Sequence, residues 1–364
     1  MKGIPDLFEF TDGSPVKTEE DWRKRRLEML ELLSRHEYGF TPEKQGETTY
    51  KLISTDTKCA SGHGVLDRLE ITFPTQKGDF TFPVNYFHPT GNKKHLTFIL
   101  INFRPEPYDK YFPAEEIIDN GFGIAQFYYG DITADANEFT SGIAPMFERR
   151  NDGTDWGKIG MWAFAASRVA DILLSFPETE RLAVIGHSRL GKTALWCGAQ
   201  DERIDFVFSN DSGCSGAAYE RIKHGESETI ARITAVFPYW FCENYKKFAQ
   251  YPDTRPFDQH MLLALSAPRF LGVGSAVLDD WADQYSEQLS CVFAGDAWAK
   301  IYNKPGFVGP TEAAKIGDVF SSGSVHYHLR DGIHFLGRAD WNAYMAFVKS
   351  KNFCNLAEVC QNSN

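Results

Sequence analysis

The segment Leu182-Ala183-Val184-Ile185-Gly186-His187-Ser188-Arg189-Leu190-Gly191-Lys192 constrains the fold of this chain more than any other. Its first residues form a short apolar run. Glycines then flank a serine, and residues 189–196 continue with helical character. A strand that is apolar throughout must be covered on both faces, which calls for a parallel sheet with helices on either side. In such sheets ligands bind beyond the carboxyl ends of the strands. Ser188 falls at such an end, where the next helix directs N–H groups and the positive end of its dipole. The glycine spacing is unusual. Leu190 stands two residues after the serine, and the glycine comes one later, at Gly191. An ordinary strand-turn-helix with a capping serine is the plain alternative.

The rest of the chain follows the same logic. Apolar strands are expected at 96–101, 121–127, 205–210, 269–276 and 325–329, with helices at 156–176 and 340–351. Residues 19–38 read as a helix whose apolar side holds Trp22, Leu27, Leu30, Leu32 and Leu33. Residues 64–73 and 80–87 read as antiparallel hairpin strands. The expected architecture is one α/β domain over 1–364, a three-layer αβα sandwich. The helix and hairpins of residues 1–90 are expected to pack on it as an N-terminal antiparallel extension.

A net charge of −11 argues against a nucleic-acid partner, because phosphate binding needs a basic surface. No apolar run approaches membrane-spanning length, and Met1 to Asp6 lack the apolar core of a signal peptide. The seven cysteines are scattered without a C-x-x-C pair, so neither a disulfide framework nor a structural zinc site is expected. Cys354 and Cys360 are the pair near enough in sequence to bridge.

Groups suited to ester cleavage follow the expected strands in a fixed order. Ser188 comes first, then Asp211, then Asp279 with Asp280, then His334. Ser, Asp, His is the chain order of α/β-hydrolases, whose serine sits on a sharp nucleophile elbow. A serine hydroxyl is a weak nucleophile until an imidazole takes its proton. The imidazole in turn needs a carboxylate to fix its tautomer. Of the ten histidines, His334 follows the last strand. His326 and His328 alternate within that strand as sheet residues, and His187 should point away from Ser188. His224 and His260 fall in an insertion.

These segments resemble the glucuronoyl esterases, secreted carbohydrate esterases of α/β-hydrolase fold. The resemblance rests on Gly186-His187-Ser188-Arg189-Leu190-Gly191-Lys192, Asn210-Asp211-Ser212-Gly213, Gly225-Glu226, Trp240-Phe241-Cys242-Glu243-Asn244, Asp280-Trp281-Ala282-Asp283 and Gly332-Ile333-His334. It implies Ser188 as nucleophile, His334 as base and Arg189 as oxyanion donor. Lys192, Glu226 and Trp281 would hold the sugar. Asp279 is favoured as the triad acid, with Asp211 as a second support. No cofactor and no metal are implied. The implied substrate is an ester of (4-O-methyl-)glucuronic acid on glucuronoxylan with a lignin alcohol, cleaved by a monomer without nucleic acid or membrane. The implied compartment is extracellular or periplasmic, with the cytoplasm as alternative. Fungal relatives bridge cysteines beside the serine and histidine. Here those positions are His187 and Phe335, as expected for a bacterial branch. The competing readings are an acetyl xylan esterase with the same triad and a non-catalytic carbohydrate-binding homologue.

Overall fold

The computed structural model describes residues 4–91 and 93–351. Cys354 and Cys360 lie outside the described residues. The strands, in chain order, are β1 (Thr49–Asp56), β2 (Gly64–Thr75), β3 (Gly78–Pro89), β4 (His95–Asn102), β5 (Gly123–Tyr128), β6 (Thr179–His187), β7 (Phe206–Asn210), β8 (Phe270–Ala276), β9 (Val319–Phe320) and β10 (Val325–Arg330). They form one ten-stranded sheet in the order β1-β2-β3-β5-β4-β6-β7-β8-β10-β9. From β5 to β10 the neighbours are parallel. β1, β2 and β3 pair antiparallel, and β3 joins β5 antiparallel through Asn85, Tyr86 and Phe87. The expected hairpins thus extend the sheet at its β5 edge. Pairing with β5 gives the backbone groups of that edge their partners.

Alternate residues of the parallel strands feed two cores. Leu96, Phe98, Leu100, Ile185, Phe206 and Phe208 point to one. Ile99, Ile101, Leu182, Val184, Val207 and Val273 point to the other. Both faces are thus apolar and both are covered. The helices are α1 (Glu19–Leu33), α2 (Ala114–Asp119), α3 (Tyr129–Ile132), α4 (Lys158–Leu173), α5 (Arg189–Gln200), α6 (Ile230–Val236), α7 (Gln259–Ala264), α8 (Gln284–Tyr302) and α9 (Arg338–Ser350). α2 and α9 cover the first core, through residues such as Ile117, Trp341 and Phe347. α1, α4, α5, α7 and α8 bury residues in the second.

Two local features depart from the pattern in the sequence. α1 stops at Leu33 and passes into a π turn, Ser34–Tyr38. Its buried side holds Trp22, Met29 and Leu33 together with Arg25 and Arg26, while Leu27 faces solvent. The guanidinium of Arg25 donates to the carbonyls of Asp6 and Leu7, and that of Arg26 to the carbonyl of Ala199. These bonds let two arginines occupy the inner face. α8, the longest helix among the described residues, escaped sequence detection. Its buried positions include Ser286, Glu287, Gln288 and Ser290, which blur the apolar period.

Candidate active site

The turn between β6 and α5 places Ser188 at φ 58°, ψ −127°, a conformation rarely adopted by a residue with a side chain. Two glycines make the turn possible. A Cβ on Gly186 would meet the carbonyl oxygen of Leu190 at 2.0 Å. A Cβ on Gly191 would come within 3.0 Å of Ser209 Oγ and Ser212 Cβ. Leu190 itself is wholly buried in the core. The second glycine therefore belongs at 191, where α5 presses on the turn after β7. The Ser188 N–H donates to the Asn210 carbonyl at 2.9 Å. Arg189 opens α5, and the first N–H groups of a helix have no intrahelical acceptor. The residue after the serine thus stands where an oxyanion donor is needed.

His334 follows β10, and its Nδ1 lies 2.5 Å from Oδ2 of Asp279, which follows β8. That contact puts the proton on Nδ1 and leaves Nε2 as the acceptor. Asp211 follows β7 and also comes close. One of its oxygens and donor atoms of Asp279 and His334 all fall within 4.8 Å of one another. Its hydrogen bonds go elsewhere, from the Ala276 N–H at 2.7 Å and from Arg330 at 3.3 Å. Burial, with Glu287, Asp340 and Asp279 nearby, raises the Asp211 carboxyl well above the usual range despite Arg330. Both of its oxygens are engaged away from the imidazole. The geometry favours Asp279 over Asp211 as the partner of His334.

Ser188 and His334 line a cleft of about 200 Å³ with Arg189, Lys192, Glu228 and Trp281. Lys192 is buried one turn into α5, and its Nζ donates to the Ser212 carbonyl. Trp281 stands at the mouth, 48% exposed. Glu226 is not in the lining. It is exposed, and Glu228, two residues on, takes the place expected of it. The Glu228 N–H donates to the Trp281 carbonyl at 3.0 Å, which turns this residue inward. Burial raises the Glu228 carboxyl and Lys192 draws it back down. A second cleft, of about 380 Å³, shares Ser188, Arg189 and His334 and adds Phe103, Arg104, Tyr111 and His187.

His187 does not simply point away. Its ring centre lies 4.3 Å from that of His334. Its Nδ1 bonds Asn210 Oδ1 at 2.7 Å, and Asn210 Nδ2 donates to Asp340 at 3.1 Å, fixing that orientation. Burial, aided by the neighbouring His334, lowers its pKa to about 3, so it is neutral. Phe335, the other position of the bridge expected in fungal relatives, packs on Tyr111, whose ring centre also lies 5.6 Å from that of His187. His326 and His328 lie buried in β10 and bond each other, with His328 also bonding Asp340. Asp283 is buried and caps α8 by accepting from the Ser286 N–H.

Two other residues, Glu287 and Asp135, were not singled out from the sequence, and Trp240 entered only as the first residue of a matched segment. Glu287, on the unrecognised α8, accepts the N–H groups of Ser212 and Gly213 at 2.9 Å each and so shapes the turn that carries Asp211. Asp135, after β5, pairs with the Arg189 guanidinium. Trp240 lies 4.6 Å from that guanidinium. Glu228 had a sequence signal in its place beside Glu226.

A profile described as "Glucuronyl esterase, fungi" matches residues 71–306. Carbohydrate esterase MZ0003, from an unknown prokaryotic organism, is 32% identical, with 95% of this chain and 88% of that protein covered. The 4-O-methyl-glucuronoyl methylesterase of Podospora anserina is 28% identical over 82% of this chain, which spans 60% of that protein's length. Among solved structures, the glucuronoyl esterase from Solibacter usitatus superposes with a TM-score of 0.86 at 30% identity, covering 96% of this chain and 98% of its own. A promiscuous CE15 esterase from a marine bacterial metagenome superposes with a TM-score of 0.84 at 28% identity, covering 95% and 96%. The chain belongs to the glucuronoyl esterase family.

Proposed function

We propose that this chain is a serine esterase that cleaves esters of (4-O-methyl-)glucuronic acid on glucuronoxylan through an acyl-enzyme on Ser188. His334 Nε2 takes the serine proton as the hydroxyl attacks the ester carbonyl, and Asp279 steadies the imidazolium. The N–H and guanidinium of Arg189 receive the charge that develops on the carbonyl oxygen. His334 then returns the proton to the departing alcohol, and a water activated by the same ring releases the uronate. Lys192 donates to sugar hydroxyls, Glu228 accepts from them, and Trp281 covers a C–H face of the ring.

The observation that carries this reading is the polar furnishing of the cleft. Lys192 and Glu228 are both nearly buried beside Ser188, at the cost of desolvating two ionisable groups. An acetyl group needs no such holders, whereas a uronate ring does. The test is Lys192→Met. It should raise KM for benzyl glucuronate about tenfold or more, as expected for loss of a charged hydrogen bond. Turnover of an aryl acetate should change little. Equal losses on both esters would count against the sugar-holding role.

Acetyl ester cleavage is the second reading, and a structural neighbour described as promiscuous gives it weight. The strain at Ser188 speaks against a non-catalytic binding protein, because binding alone gives no reason to maintain it. The triad and cleft all come from one chain, so a monomer suffices. The ester is borne on a polymer, which places the reaction outside the cytoplasm.

A further inference from the structure

Asp135 makes more contacts around Arg189 than a loop aspartate needs. It follows β5 by a single turn of helix, α3, so it stands at the same end of the sheet as the triad. The loop there is anchored by Lys158 Nζ donating to Thr133 Oγ1 at 2.7 Å. Oδ2 of Asp135 pairs with the Arg189 guanidinium and accepts from Tyr129 Oη at 3.2 Å. Oδ1 accepts from Trp240 Nε1 at 2.7 Å. The Trp240 ring lies 4.6 Å from the guanidinium and stacks on Phe237, centroids 3.9 Å apart, with the Phe237 ring itself 5.6 Å from the guanidinium. The carboxylate and the aromatic wall thus fix one orientation of the Arg189 side chain.

The chemistry supplies a second reason for this pair. The substrate ester is neutral at its carbonyl. Water adds to the acyl carbon, the bond to Ser188 Oγ breaks, and the acid formed loses its proton at neutral pH. A carboxylate therefore appears where the oxyanion had been. An Arg without a counterion beside a second cation, Lys192, would hold that product by charge-assisted hydrogen bonds. Lys192 has Glu228 near it in the cleft, and the Arg189 guanidinium is paired with Asp135 behind the cleft lining.

We propose that Asp135 is the positioning residue of Arg189, holding the guanidinium in its catalytic orientation and offsetting its charge so that the uronate product departs. The proposal rests on the reading of Arg189 as the oxyanion residue.

The test compares Asp135→Asn, Arg189→Gln, the double variant and Asp135→Glu, with benzyl glucuronate as substrate and glucuronate as inhibitor. Arg189→Gln should lower kcat by about a hundredfold, the usual effect of losing one oxyanion donor. Asp135→Asn should lower kcat by about tenfold with KM for the ester within about threefold. The same variant should bind glucuronate several-fold more tightly. Both effects of Asp135→Asn should vanish in the Arg189→Gln background, because residues acting through one another are not additive. Asp135→Glu should restore part of kcat. Full additivity of the two losses, or unchanged kcat and glucuronate inhibition in Asp135→Asn, would overturn the proposal. An unchanged kcat in Arg189→Gln would instead remove the oxyanion reading on which it stands. If Asp135→Asn does not fold, Trp240→Phe removes the Nε1 donor and keeps a ring. It should shift kcat and inhibition in the same directions, and no shift would overturn the proposal.

Discussion

Replacing Asp279 by asparagine keeps the shape of the side chain and removes its charge. The perturbation falls on a 2.5 Å contact with His334 Nδ1. At an effective dielectric of about 20, opposite charges attract by about 5.5 kcal/mol at roughly 3 Å and by about 3.3 kcal/mol at roughly 5 Å. Asp211, the next carboxyl, has its oxygen within 4.8 Å of the donor atoms of the pair. At the far end of that range it would fall short by about 2 kcal/mol, a loss of roughly fortyfold in rate. Burial and the neighbouring carboxylates also disfavour its charged form. Asparagine also favours the wrong imidazole tautomer, so the expected loss in kcat is about 10³- to 10⁴-fold. Asp211→Asn should cost less than about tenfold in kcat. What it disturbs are the bonds to Ala276 and Arg330, and that loss should appear in Tm. The assay is kcat on benzyl glucuronate at fixed pH, with thermal melts of each variant. A larger kcat loss for Asp211→Asn than for Asp279→Asn, with both proteins folded, would refute the reasoning.

The cleft and the buried charges give further expectations. Glu228→Gln should raise KM for benzyl glucuronate by about tenfold, the scale of a charged hydrogen bond, while Glu226→Gln leaves it unchanged. Steady-state kinetics of the two variants distinguish these positions directly. Gly186→Ala should yield little active protein, since the added methyl group would meet the Leu190 carbonyl at 2.0 Å, and soluble expression with a melt checks it. Glu37 is fully buried, and burial raises its pKa from 4.5 to about 8. Between those values the folded chain holds a proton that the unfolded chain has lost, so this group makes stability fall as pH rises through that window. Glu37→Gln should remove that dependence, raising Tm at pH 8 relative to wild type by more than at pH 5; the ordering is read from melts at the two pH values.

The chain announced its chemistry at the strand ends. The apolar runs at 182–185 and 205–210 could only be buried strands, and the order of Ser188, Asp279 and His334 followed from what comes after each strand. The odd glycine spacing was visible, but its cause was not, because it depends on Ser212 from the next turn. The hairpins were legible as strands, yet the edge they join is a long-range choice made by the backbone of β5. α8 was hidden by its own function, since Glu287 and Gln288 are buried to hold loops. Asp135 left no trace in the sequence, being one of many acidic residues until the fold brings it to Arg189. Glu226 was a near miss. Loop residues two apart cannot be assigned to inside and outside without the Trp281 carbonyl that turns Glu228 inward.

The most direct measurement compares initial rates on benzyl glucuronate and on a simple aryl acetate, for the native enzyme and for Ser188→Ala. The account predicts a strong preference for the glucuronate ester and its loss in the variant. Acetate turnover equal to or above that of glucuronate, dependent on Ser188, would contradict the substrate assignment and keep the hydrolase. Glucuronate turnover that survives Ser188→Ala would contradict the mechanism itself.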